Sequence, residues 1–207
     1  MARIIRVGLR KKIYPRPLFE KIAAKYIFGA ALSLLMLAYR LSKYGHKGQK
    51  RDDLSRYFDH PKCVALIFML ELGIFKIYIL IASLLHDIEE DSFILKPWDI
   101  ERIFGKRVRQ AVEILTKQEG IDYFKRLQKA IWWIKMIKLA DRLHNLRTLM
   151  GSTRQKRVEQ LEETYEYYIP LAEQLIKEVP SRQYKKQAIY LMAEIKLSCQ
   201  RVERGLK

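Results

Sequence analysis

The chain predicts an all-α fold, and three observations carry that prediction. Leu, Ile, Ala, Lys, Arg and Glu dominate, while Gly and Pro number only 9 and 6. No strand-turn-strand alternation recurs. Apolar residues instead return at helical spacing, as in Val108, Ala111, Val112 and Leu115. With 207 residues, 49% of them apolar, the chain can bury a substantial core and is globular rather than disordered. Cys63 and Cys199 form no C-x-x-C, so neither a disulfide framework nor a zinc knuckle is expected, and a reducing compartment is the default.

The elements follow in order. Residues 1–17 read as a basic arm in which Pro15 and Pro17 break any helix. A first helix is expected from Leu18 to Tyr44, ended by the Gly45 to Arg51 segment, with His46 as a capping or supporting residue rather than a ligand. Asp52 to Asp59 reads as a polar loop. Asp59-His60-Pro61 opens the next helix, Pro61 suiting a first turn, and Gly73 stops it. Ile74 to Asp87 is almost wholly apolar and therefore central. Pro97 to Gly105 and Lys106 to Lys117 give two short helices, and Gly120 marks a break. A long helix is expected from Tyr123 to Met150, with Trp132, Trp133 and Phe124 as packing residues. Arg154 to Glu178 is expected to kink at Pro170. Pro180-Ser181 precedes a last amphipathic helix near Val202. This divides the chain into an arm (1–17), a body (18–179) and a C-terminal helix (180–207) packing on it.

Formal net charge is +17, unevenly placed. Residues 1–51 hold thirteen Lys/Arg and one acid, Glu20. That bias suits a polyanionic partner: nucleic acid, an anionic surface or a highly phosphorylated small molecule. The runs Arg10-Lys11-Lys12 and Arg154 to Arg157 are expected to be solvated. The longest apolar run, Ile27 to Tyr39, is thirteen residues and too short to span a bilayer, so a cytoplasmic protein is expected.

Two stretches carry chemistry. In the first, the apolar segment from Tyr78 runs straight into His86 and four carboxylates within six positions, through Asp87, Glu89, Glu90 and Asp91. A carboxylate against apolar packing needs a partner. Either this is a helix end entering a solvated acidic loop, or His86 and Asp87 converge on a cation at that end, with Glu90 and Asp91 beyond it to handle protons. In the second, Asp141, His144, Asn145 and Thr148 fall at i, i+3, i+4 and i+7 and form a polar stripe beside the core face of Leu139, Leu143 and Leu146. A buried Asp141 must be an ion pair, a hydrogen-bond hub or a metal ligand.

Gly48-Gln49-Lys50-Arg51, Tyr57-Phe58-Asp59-His60-Pro61, Leu84-Leu85-His86-Asp87 with Glu90-Asp91, and Lys138 to Asn145 with Arg147-Thr148 stand in one order. Together they resemble the HD-type hydrolase domain of RelA/SpoT homologues, over about residues 27–175. With no synthetase domain following, the chain resembles the small stand-alone alarmone hydrolases. The resemblance implies an HD-domain helical bundle around a single metal site. By it, His60, His86, Asp87 and Asp141 match ligands of Mn²⁺, a mixed imidazole and carboxylate set that suits such an ion. Glu90 and Asp91 match the acidic pair that activates water. Arg51, Tyr57, Asn145 and Thr148 match nucleotide-contacting positions. His144 falls on no ligand position and is expected to orient a carboxylate from behind. The implied reaction removes pyrophosphate from the ribose 3′ position of guanosine tetra- or pentaphosphate.

One loop departs from that pattern. After the matching Arg51, relatives carry Lys-Ser-Gly-Glu-Pro; here the chain reads Asp52-Asp53-Leu54-Ser55-Arg56. Two further readings therefore stand beside the first. One is an HD phosphohydrolase acting on another nucleotide, such as (p)ppApp, or on a phosphorylated cofactor. The other is a catalytically inert, basic nucleic-acid-binding scaffold.

Overall fold

A computed structural model describes residues 6–7, 14–91, 94–118, 120 and 122–206, and only the backbone of Glu90 and Asp91. Twelve α-helices are found among these residues, and the only β pairing is an isolated bridge between Lys50 and Arg56. No helix among them is long and apolar enough to cross a membrane.

The expected first helix is two. α1 (Arg16–Ala23) carries Pro17 in its first turn, so this proline starts a helix instead of breaking one: the N–H it lacks has no partner there anyway. After an extended Phe28, α2 (Gly29–Gly45) begins at a glycine with φ +56°, a conformation that strains any residue with a Cβ. α3 (Asp59–Ile67) opens as expected and runs into a π turn (Phe68–Leu72) closed by left-handed Gly73. α4 (Ile77–Leu85) is the most apolar helix, and from Ile79 onward every residue is buried. It lies against α2, α3, the later α7 (Lys106–Leu115) and α9 (Trp132–Thr148). α5 (Ile88–Asp91) restarts after a two-residue junction at His86 and Asp87.

α6 (Pro97–Phe104) and α7 match their expected bounds closely. The expected helix from Tyr123 to Met150 is also two, α8 (Tyr123–Lys129) and α9, because Ala130 and Ile131 are extended, with ψ of 153° and 147°. Neither residue is a helix breaker. Packing decides the break: Leu127 before it and Trp133 after it both enter the core. Trp133 meets Tyr78 edge-on, and Phe124 stacks on Tyr167 at 3.9 Å, so these aromatics pack as expected. α10 (Arg154–Glu163) and α11 (Ile169–Glu178) are joined by a π turn (Thr164–Tyr168) instead of a sharp kink. The wider turn sits immediately ahead of Pro170 and accommodates the N–H that proline lacks. α12 (Arg182–Arg204) packs on α9 and α11.

Candidate metal centre and nucleotide pocket

Three elements end at one point. His60 comes from the first turn of α3, His86 and Asp87 from the α4–α5 junction, and Asp141 from the middle of α9. The junction has a purpose: adjacent residues on a continuous helix diverge by roughly 100°, and leaving the helix lets both neighbours face inward. One ligand atom each from His60, His86 and Asp141 lies within 4.8 Å of the others, and all three residues are buried. Asp141 Oδ1 is 3.0 Å from His60 Nε2 and 3.7 Å from His86 Nε2. Asp87 adjoins them, Oδ1 3.1 Å from His86 Nε2 and Oδ2 3.6 Å from His60 Nε2.

The donor set fits a divalent ion. His86 Nδ1 sits 2.9 Å from the Ser83 carbonyl, to which it must donate, so Nε2 is the nitrogen that can ligate once its proton has left. That Nε2 is buried and faces the carboxylate oxygens of Asp87 and Asp141 at 3.1 and 3.7 Å. His60 Nδ1 lies 2.8 Å from His144 Nδ1, which in the matching tautomer leaves His60 Nε2 equally free to ligate. His144 therefore orients an imidazole, not the carboxylate expected from the sequence.

Electrostatics separate the two histidines. Burial and the Arg51 charge lower His60 to a pKa of about 4 despite its carboxylate neighbours. Burial also opposes charge on His86, but Asp87 and Asp141 outweigh it and raise its pKa to about 9. Burial and the neighbouring His60 push His144 well below the usual imidazole range. Burial works against ionised Asp141, yet Lys138 and the imidazoles hold its carboxyl well below the usual range. Lys138, with Nζ 2.9 Å from Asp141 Oδ2, was not singled out from the sequence. Its i, i+3 spacing from Asp141 on α9 was the available signal.

A cavity of about 270 Å³ adjoins the cluster, walled by Arg51, Tyr57, Asn145, Thr148, Lys156 and Gln160 among others. Its walls bond to the same carboxylates. The Tyr57 hydroxyl donates to Asp87 Oδ2 at 3.1 Å, and the Asn145 amide donates to Asp141 Oδ1 at 2.8 Å. Arg51 Nη2 donates to Asn145 Oδ1 at 2.7 Å and lies 3.5 Å from Thr148 Oγ1. His46 caps α2, bonds Gln49 through Nδ1 at 2.8 Å and stacks on Tyr57 at 4.8 Å, a supporting role as expected.

The divergent loop is tied down. Asp52 pairs with Lys156 at 2.8 Å and accepts from Ser152 Oγ at 2.6 Å. Asp53 accepts from the Ser55 N–H and hydroxyl at 3.0 and 2.5 Å. Lys156 is therefore more than a solvated member of a basic run: it lines the cavity and balances Asp52. Lys156 and Ser152 were not picked out from the sequence, because their partner lies a hundred residues away. The side chains of Glu90 and Asp91 lie outside the described residues.

Comparison with known proteins agrees with this geometry. The HD domain family matches residues 38–176, two thirds of the chain. The chain belongs to the HD domain family. Among curated relatives, a GTP pyrophosphokinase of Streptomyces antibioticus is 32% identical over 191 residues, which cover 84% of this chain and 22% of that protein. The bifunctional (p)ppGpp synthase/hydrolase SpoT of Escherichia coli is 33% identical over 174 residues, 76% of this chain and 24% of that protein. This HD domain thus spans between a fifth and a quarter of the length of these two relatives. A solved structure described as a metazoan ortholog of SpoT that hydrolyses ppGpp and plays a role in starvation responses superposes with a TM-score of 0.60 at 25% identity. It covers 87% of this chain and 98% of that one. The domain is accordingly an HD-type, RelA/SpoT-like domain.

Proposed function

We propose that this HD domain is an Mn²⁺-dependent hydrolase that removes pyrophosphate from the ribose 3′ position of guanosine tetra- or pentaphosphate. The observation that carries the reading is the convergence of His60, His86 and Asp141 within 4.8 Å, beside a pocket whose walls bond their carboxylates. In this reading His60, His86, Asp87 and Asp141 hold the ion. When bound, it polarises a phosphoryl oxygen and lowers the pKa of a water. The chain's own residues do the rest. Tyr57 donates to Asp87 Oδ2 and Asn145 to Asp141 Oδ1, and these bonds keep the carboxylates from rotating when substrate enters. Arg51 presents its planar guanidinium from a neutral anchor, Asn145 and Thr148, and is free to stack on a purine. Glu90 and Asp91 take and return the protons of the attacking water and leaving oxygen.

The acids at 52 and 53 favour a second reading, an adenine-based 3′-diphosphate. Lys156 pairs with Asp52 and balances its charge, while Asp53 is held within the loop by the Ser55 N–H and hydroxyl. A weak guanine-over-adenine preference is therefore expected. The test is pyrophosphate release with Mn²⁺ over guanosine and adenosine 3′-polyphosphates, in wild type and Asp52→Lys. Release from a guanosine 3′-diphosphate supports the proposal; release only from unrelated phosphoesters overturns it. A strong guanine preference that survives Asp52→Lys would mean that this loop does not read the base.

A further inference from the structure

Behind the polar stripe of α9 lies a charge cluster that the reaction does not use. Arg147 stands between Asn145 and Thr148 in sequence, but its side chain is fully buried. Its guanidinium forks onto Glu71 at 2.6 and 3.0 Å and reaches Glu194 Oε2 at 2.8 Å. The side chains of Glu71 and Glu194 are 0% and 5% exposed. Two carboxylates against one guanidinium leave an uncompensated negative charge away from water, which is costly. The second cation comes from the start of the chain: Arg6 Nε lies 2.9 and 3.0 Å from the two oxygens of Glu194. Val7, 1% exposed, then closes the cluster through its backbone. Its N–H donates to Glu71 Oε1 at 2.6 Å, and its carbonyl accepts from Arg147 Nη1 at 2.8 Å. The Tyr190 hydroxyl completes Glu71 Oε2 at 2.6 Å.

We propose that Arg6 and Val7 are positioning residues for the substrate face of α9. Arg147 cannot turn without breaking its fork on Glu71, and a helix turns as a unit. Locking Arg147 on one side therefore fixes Asn145 and Thr148 on the other, where they meet Arg51. Without Arg6 the cluster holds an excess buried charge. Relief comes from water entry or movement of Arg147, and either shifts the last turn of α9. Displacements of an ångström at substrate-contacting groups change rates by up to roughly a hundredfold. The part concerning substrate rests on the proposed nucleotide contacts of Asn145 and Thr148; the mechanical part does not.

The experiment uses the full chain with Arg6→Ala, Arg6→Lys, and Arg6→Ala combined with Glu194→Gln, which removes the excess charge. Arg16→Ala is the control, since Arg16 is half-exposed, pairs with Glu20 and lies outside the cluster. Metal content, KM and kcat are measured together with amide hydrogen exchange at residues 145–149. Arg6→Ala is expected to raise KM roughly tenfold, with unchanged metal content and faster exchange in that turn. The double variant should recover most of both changes, and Arg6→Lys should show a smaller shift in the same direction. If Arg6→Ala does not fold, Arg6→Lys carries the test. A lower melting temperature with unchanged KM and exchange would reduce Arg6 to a structural anchor and overturn the proposal. If wild type fails to hydrolyse a guanosine 3′-diphosphate, the proposed function fails instead, and exchange at 145–149 still decides the positioning role.

Discussion

His86 links electrostatics to function at the level of one residue. In the metal-free site its flanking carboxylates keep its pKa at about 9, so at neutral pH it carries a proton that an incoming ion must displace. The sign follows directly. Below pH 9, each unit of rising pH should strengthen ion binding roughly tenfold, and above it the curve should flatten. His60, with a pKa of about 4, adds no competing proton near neutrality. Calorimetry in buffers of different ionisation heat should detect about one proton released per ion at pH 7; a pH-independent affinity would show that His86 is not a ligand. Glu90→Gln should retain the ion yet lose activity by roughly 10²-fold or more, as expected for a proton-handling group. A metal-free Glu90→Gln would assign that residue to the ion. His86 and Asp87 were legible as candidates because a His and an Asp at an apolar helix end are costly to bury without an ion or a charged partner, whereas His60 and Asp141 became ligand candidates through the family resemblance. Lys138 was less so: a lysine three residues from an aspartate is usually a surface pair, and only burial gives it weight.

Elements place these residues, and their boundaries were legible where backbone chemistry set them. Gly45, Gly73 and Gly105 end or separate helices as expected. The α8–α9 break was not legible, since Ala130 and Ile131 give no local signal and long-range packing decides. The turn between α9 and α10 has a similar hidden requirement. A Cβ on Gly151 would stand 2.8 Å from Asp53 Cβ, so the Arg51 loop can lie against this turn only because residue 151 is glycine. Gly151→Ala should push the loop outward, weaken the Asp52–Lys156 tie and raise KM several-fold with little effect on metal content. Steady-state kinetics and elemental analysis check this; an unchanged KM would mean the loop does not bound the substrate. In α4, Leu84→Ala leaves a cavity at a fully buried position and should cost about 2–5 kcal/mol, read by chemical denaturation.

For the whole molecule, charge and anchoring tell different stories about its first residues. Composition pointed to an arm available to polyanions, and its excess charge is a property of the sequence. Val7 nevertheless enters the interior and the half-exposed Arg6 reaches in to Glu194, because burial of Glu71 and Glu194 creates a demand for a cation that no local pattern reveals. If the remaining basic residues bind a polyanion, that binding should weaken steeply with salt, as counterion release requires, and a salt-independent affinity would exclude it. The helical architecture itself was legible from composition and periodicity, and the family from the ordered motifs. Pocket chemistry across the Asp52 loop was not, since its partners come from a distant helix. The central claim is that one ion, held by His60, His86, Asp87 and Asp141, drives pyrophosphate release. Its most direct measurement is titration of metal-stripped protein with Mn²⁺, following bound ion and pyrophosphate release from guanosine 3′,5′-bis(diphosphate) together. Activity should rise in proportion to bound ion and saturate at one equivalent, and Asp141→Asn should neither bind that equivalent nor turn over. Full activity in the stripped protein, or an unchanged equivalent in Asp141→Asn, would contradict it.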